Sequence, residues 1–62
     1  MMKQLTLEER QEIFQQLVKQ QDKGLPIPRS RQIVAREFQI TEAQVRAIEN
    51  EGLEKEWPPL SA

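Results

Sequence analysis

Arginine is concentrated in one stretch of this chain: Arg29, Arg31, Arg36 and Arg46 fall within eighteen residues that hold only two acids, Glu37 and Glu42. A guanidinium carries five donors in a fixed fork, suited to phosphate oxygens and to the edge of guanine. Gln44 lies in the same stretch, and its amide can make a two-point pair with adenine. Thr41 brings a hydroxyl able to reach a phosphate, and Ala47 a methyl able to touch the methyl of thymine. The chemistry on offer is recognition of a polyanion. It is confined to one region, because residues 29–46 sum to +2 whereas the last sixteen, with Glu49, Glu51, Glu54 and Glu56 against Lys55, sum to −3.

The remaining composition removes most other chemistry. Sixty-two residues with no Cys and no His lack a thiol nucleophile, an imidazole base, a disulfide staple and the usual zinc or copper ligands. Glu8, Glu9 and Glu12 are the one acidic cluster near the start, and they suit the positive end of a helix dipole better than paired acid–base work, since nothing apolar surrounds them to raise a pKa. The expectation is a protein that is not an enzyme and that holds no metal and no cofactor. A net charge of −1 gives no general attraction to nucleic acid or to an acidic membrane, so any such binding depends on local patterning. No stretch approaches the roughly 20 apolar residues of a membrane span, and Met1 to Arg10 lacks an apolar signal core. These features point to the cytoplasm, or to the nucleoid if the chain binds DNA.

Three amphipathic segments must position the arginines. Thr6 followed by Glu9 has the spacing of a capping box and predicts a helix over 7–22, with Ile13, Phe14, Leu17 and Val18 on its buried face. Gly24, Pro26 and Pro28 predict a stiff loop over 23–29, with Leu25 or Ile27 turned inward. Ser30 then reads as the N-cap of a helix over 31–38 that buries Ile33, Val34 and Phe38, with Ala35 between them. Only Gln39 and Ile40 separate it from Thr41, which with Gln44 forms a second capping box and opens a helix over 42–51 built on Val45 and Ile48. Gly52 either caps that helix or is tolerated inside a continuation to 56, the favoured reading, before the tail 57–62. The whole is one all-α domain of three to four helices.

Two short helices joined by so tight a turn must cross steeply, which is the geometry of a helix-turn-helix. Ala35 supplies the small residue at the crossing, Val34 and Phe38 the inner face, Ile40 the plug in the turn, and Val45 and Ile48 the second helix's contribution. Gln39 stands where Gly is usual and must pay a cost to turn left-handed. The run from Ile40 to Glu49 followed by Leu53 and Lys55, together with the start from Leu5 to Ile13, resembles region four, the promoter-binding region of bacterial housekeeping sigma factors. The resemblance spans about residues 5 to 55 and implies a recognition helix in 42–51 and a role in transcription regulation. It also implies a departure in specificity, because Glu42, Ala43 and Gln44 stand where that family usually carries arginine and other base-reaching residues.

On this reading duplex DNA meets Ala43, Gln44, Arg46 and Asn50 along the groove-facing side, with Thr41 and Arg31 or Arg36 on phosphates. The bland counterpart places the arginines in solvent or in pairs such as Glu42 with Arg46, spaced i, i+4. The competing function is a small adaptor that uses the same scaffold to bind RNA polymerase or another regulator. Trp57 and Leu60 allow two readings as well: packing over the helix ends, which is favoured, or an exposed Trp-Pro-Pro-Leu hook for a partner. Small size makes a homodimer a further expectation.

Overall fold

The computed structural model describes residues 4–60, and these form α1 (Leu7–Asp22), α2 (Ile27–Phe38) and α3 (Glu42–Lys55) with no strand among them. Both capping boxes are present. The Thr6 hydroxyl accepts from the Glu9 amide at 3.1 Å while the Thr6 amide donates to Glu9 Oε1 at 3.0 Å, and Thr41 and Gln44 repeat the arrangement at 3.0 and 3.1 Å. Each box satisfies two backbone donors that a helix start otherwise leaves unpaired.

The second helix starts four residues earlier than its expected boundary. Pro26 occupies the cap position and Pro28 lies in the first turn, where the missing N–H has no intrahelical partner to lose. The two prolines open the helix instead of prolonging the loop, which shrinks to residues 23–26. Ser30 is therefore not an N-cap: it is fully buried inside α2, with its amide on the Pro26 carbonyl at 2.9 Å and its hydroxyl donating to the Ile27 carbonyl at 2.7 Å. Ile27, in the first turn, is half exposed, and Leu25 is the partly buried residue of the connection.

The ends of α2 and α3 are alike. Gln39 takes the left-handed conformation at φ 56°, and the Ile40 amide reaches back to the Ala35 carbonyl at 2.9 Å. Glu56 does the same at φ 52°, with the Trp57 amide on the Gly52 carbonyl at 3.0 Å. These six-to-one bonds are the usual way of stopping a helix at glycine, made here by residues that bear a Cβ. Of the two readings of Gly52, continuation of the helix is the one observed, to Lys55.

Each helix packs against both others. The core is Ile13, Phe14 and Leu17 of α1, Val34 and Ala35 of α2, Val45 and Ile48 of α3, and Trp57 beyond it, with Leu5, Val18, Phe38 and Ile40 partly buried around them. Ile33, an expected core residue, is half-buried and lies outside this cluster; it lines a depression on the outer face of α2 with Arg29, Gln32, Arg36 and Glu37. Trp57 is buried and meets the Phe14 ring edge-on, centroids 6.1 Å apart and planes at 80°. Trp57 is thus part of the core and no hook for a partner, while Leu53 and Leu60 remain exposed. No helix among the described residues is long and apolar enough to cross a membrane.

Candidate nucleic-acid interface

The arginines divide into two groups according to the helical face that carries them. Arg31 sits on the inner side of α2, where Nη2 and Nε donate to Glu49 Oε1 of α3 at 2.7 and 3.0 Å. Gln21 of α1 completes the cluster, its amide nitrogen donating to Glu49 Oε2 at 3.2 Å and to the Ser30 hydroxyl at 3.3 Å. One carboxylate therefore ties three helices together. With the Glu49 side chain 12% exposed, Arg31 serves as its counter-ion, part-buried itself and committed to an ion pair across to α3.

A second cluster fastens α1 to the far end of α3. Arg10 Nε donates to Glu51 Oε1 at 2.9 Å and its Nη1 to the Leu5 carbonyl at 2.9 Å, while Lys55 Nζ donates to Glu51 Oε2 at 3.0 Å. Partial burial pushes the Glu51 carboxyl up, but the hydrogen bonds from Arg10 and Lys55, with the charge behind them, outweigh it and hold the pKa below the ordinary 4.5. Two of the four acids in the C-terminal stretch are thereby internal anchors. They do not form an open acidic face.

What stays outside is an orderly surface. On α2, Arg29 and Arg36 are exposed seven residues apart, on one stripe, and neither makes an ion pair among the described residues. Arg29 escapes a reading that places 29 in a loop; its signal is that i, i+7 spacing once the helix is seen to begin at 27. On α3, Ala43, Arg46, Ala47 and Asn50 are all exposed and fall on one face. Arg46 forms no ion pair, with Glu42 or with any other described residue.

Two expected contacts take part in the cap of α3, Thr41 keeping its exposed O–H as a donor that a phosphate oxygen could accept. The Thr41 hydroxyl oxygen and Gln44 Oε1 are the acceptors of the capping box, and Gln44 is partly buried. A two-point pair with adenine needs the amide oxygen as well as the nitrogen. Gln44 therefore positions the start of α3, folded back onto its first turn and about 100° around the helix from Ala43, whose face also carries Arg46, Ala47 and Asn50.

Comparison with known protein families, curated proteins and solved structures gives no match to this chain.

Proposed function

We propose that this chain is a helix-turn-helix module that binds duplex DNA in transcription regulation, with α3 entering the major groove. The observation that carries the reading is the outer row of α3: two small alanines and two side chains able to reach base edges, none of them used in holding the fold. Small residues let the helix backbone approach the groove floor, and the capping box fixes where the helix begins. The stripe of Arg29 and Arg36 on α2 supplies phosphate contacts beside that groove. The resemblance to sigma-factor region four agrees with this assignment of the helices.

Binding by such a surface is weak and salt-sensitive. Three unpaired arginines, Arg29, Arg36 and Arg46, give at most three phosphate neutralisations, so log K should fall with log salt at a slope of about −3 or shallower. A labelled sample titrated with a generic duplex of about 20 base pairs tests it, at low salt where such contacts are strongest. Amide shifts centred on residues 42–50 and collapsing as salt is added are the expected result. No shift in α3 at low salt would overturn the reading.

The second reading is a protein adaptor, favoured by Leu53, which is 55% exposed on α3 between the recognition row and Glu54. It expects signals of α3 to broaden on addition of purified RNA polymerase while a duplex leaves them unchanged.

A further inference from the structure

We infer that the base preference of this surface is set by Arg46 and Asn50, reading a guanine and an adenine about two base-pair steps apart, and that Gln44 contributes nothing to it. The inference rests on the duplex-DNA reading above and gives it a sequence content. Arg46 and Asn50 are four residues apart on α3, both exposed and without a hydrogen-bond or ion-pair partner among the described residues. Four residues advance a helix by about 6 Å, and stacked base pairs lie about 3.4 Å apart, so the two side chains address positions separated by roughly two steps.

The chemistry of each side chain selects its base. Two parallel N–H groups of the guanidinium match the paired acceptors O6 and N7 of guanine. The Asn50 amide, with one donor and one acceptor, matches N7 and the N6 amino group of adenine. Asn50 can offer both because its side chain holds no structural bond; the Gln44 amide is instead folded back onto the Thr41 amide at 3.1 Å, about 100° around the helix from the face of Ala43, and reaches a base only by leaving the cap. Ala43 and Ala47 complete the row at i−3 and i+1 of Arg46, where a methyl favours thymine over cytosine by contact with its C5 methyl. From Ala43 to Asn50 the row is about 10 Å long, which limits the site to about four base pairs per copy of the chain.

The test is selection from a duplex pool randomised over eight positions, with the full-length chain at low salt, followed by titration of the recovered site and its single-base changes. The wild-type chain is expected to recover a guanine and an adenine two steps apart and to lose about tenfold or more in affinity when either is replaced. N50A should flatten the preference at the adenine alone, and R46A at the guanine alone. Gln44→Glu, which keeps the capping acceptor, should weaken binding to all duplexes alike and leave the ratios between bases unchanged. Duplex binding with no base preference overturns the inference and leaves the parent reading standing. So does a preference that moves with Gln44→Glu and not with N50A. No duplex binding at all overturns both.

Discussion

Replacing Gly52 by alanine asks whether the third helix is bent to the needs of the core or of its own backbone. Glycine inside a helix costs about 1 kcal/mol relative to alanine, so propensity alone predicts that Gly52→Ala stabilises the protein by that amount. The structure predicts the opposite sign. A Cβ at position 52 would stand 2.6 Å from Cγ of Phe14, and nearer still to Cδ1 and Cε1 of the same ring. That ring has no free direction, being 1% exposed and held edge-on by Trp57. Forcing an extra methyl into a well-packed core costs about 1–3 kcal/mol, which cancels the propensity gain at least and exceeds it by up to roughly 2 kcal/mol. The comparison that isolates the clash is Ala47→Gly, on the exposed face of the same helix, which should lose about 1 kcal/mol through propensity alone. Thermal and urea melts followed by helix circular dichroism and Trp57 fluorescence give both numbers, and in a domain this small each kcal/mol moves Tm by about 4–8 °C. The reasoning fails if Gly52→Ala raises stability by as much as Ala47→Gly lowers it. Glycine at 52 would then be a poor helix residue with no packing role.

The two ionic clusters give the remaining predictions. Arg31→Ala strands the nearly enclosed Glu49 carboxylate and should cost roughly 1–3 kcal/mol in a urea melt, whereas Arg36→Ala, exposed and unpaired, should stay within about 0.5 kcal/mol of the parent. Equal costs would mean that the Arg31–Glu49 pair contributes no more than a surface charge. For Glu51 the folded pKa lies below the ordinary 4.5, so its ionised form stabilises the fold above that pH, and the contribution disappears as pH falls through the lowered value. Glu51→Gln should therefore be less stable than the parent at neutral pH, with the gap in Tm closing as the pH is taken below 4.5. A gap that is constant or widens in acid would contradict the assignment of Arg10 and Lys55 as its partners.

Local chemistry was sufficient to place most of this architecture. Thr6 and Thr41 define their helix starts through contacts three residues away, and Leu7–Asp22 and the turn at Gln39 and Ile40 follow from sequence alone. The start of α2 resists the same treatment because two rules compete there. Ser30 has the chemistry of a cap, but Pro26 and Pro28 suit the preceding turn equally well, and burial of the Ser30 hydroxyl between α1 and α2 decides in favour of the earlier start. That shift of four residues matters to the surface, because it brings Arg29 onto the helix and into line with Arg36. The bond between Gln21 and Glu49 spans 28 positions and has no local signature, so nothing in the sequence around Arg31 distinguishes its role from that of Arg36.

Position 44 is a different case, since both of its roles can be read from sequence and they compete for one side-chain amide. The spacing Thr41-x-x-Gln44 declares a capping box, and a glutamine at the third position of a groove-facing helix declares a reader of adenine. One amide oxygen is required by both. The backbone donor of Thr41 is fixed, lies 3.1 Å away and is present in every state of the folded chain, whereas a base edge is present only in a complex. A helix start that gave up its cap to read a base would lose about 1 kcal/mol of local stability at the moment of binding, set against a contact worth about 1–3 kcal/mol. Asn50 can make the same contact with no such loss, and it stands six residues further along α3, about 9 Å, on the face that carries Ala43, Arg46 and Ala47. On the proposed duplex-DNA reading, specificity is therefore expected from the middle of α3 and not from its first turn.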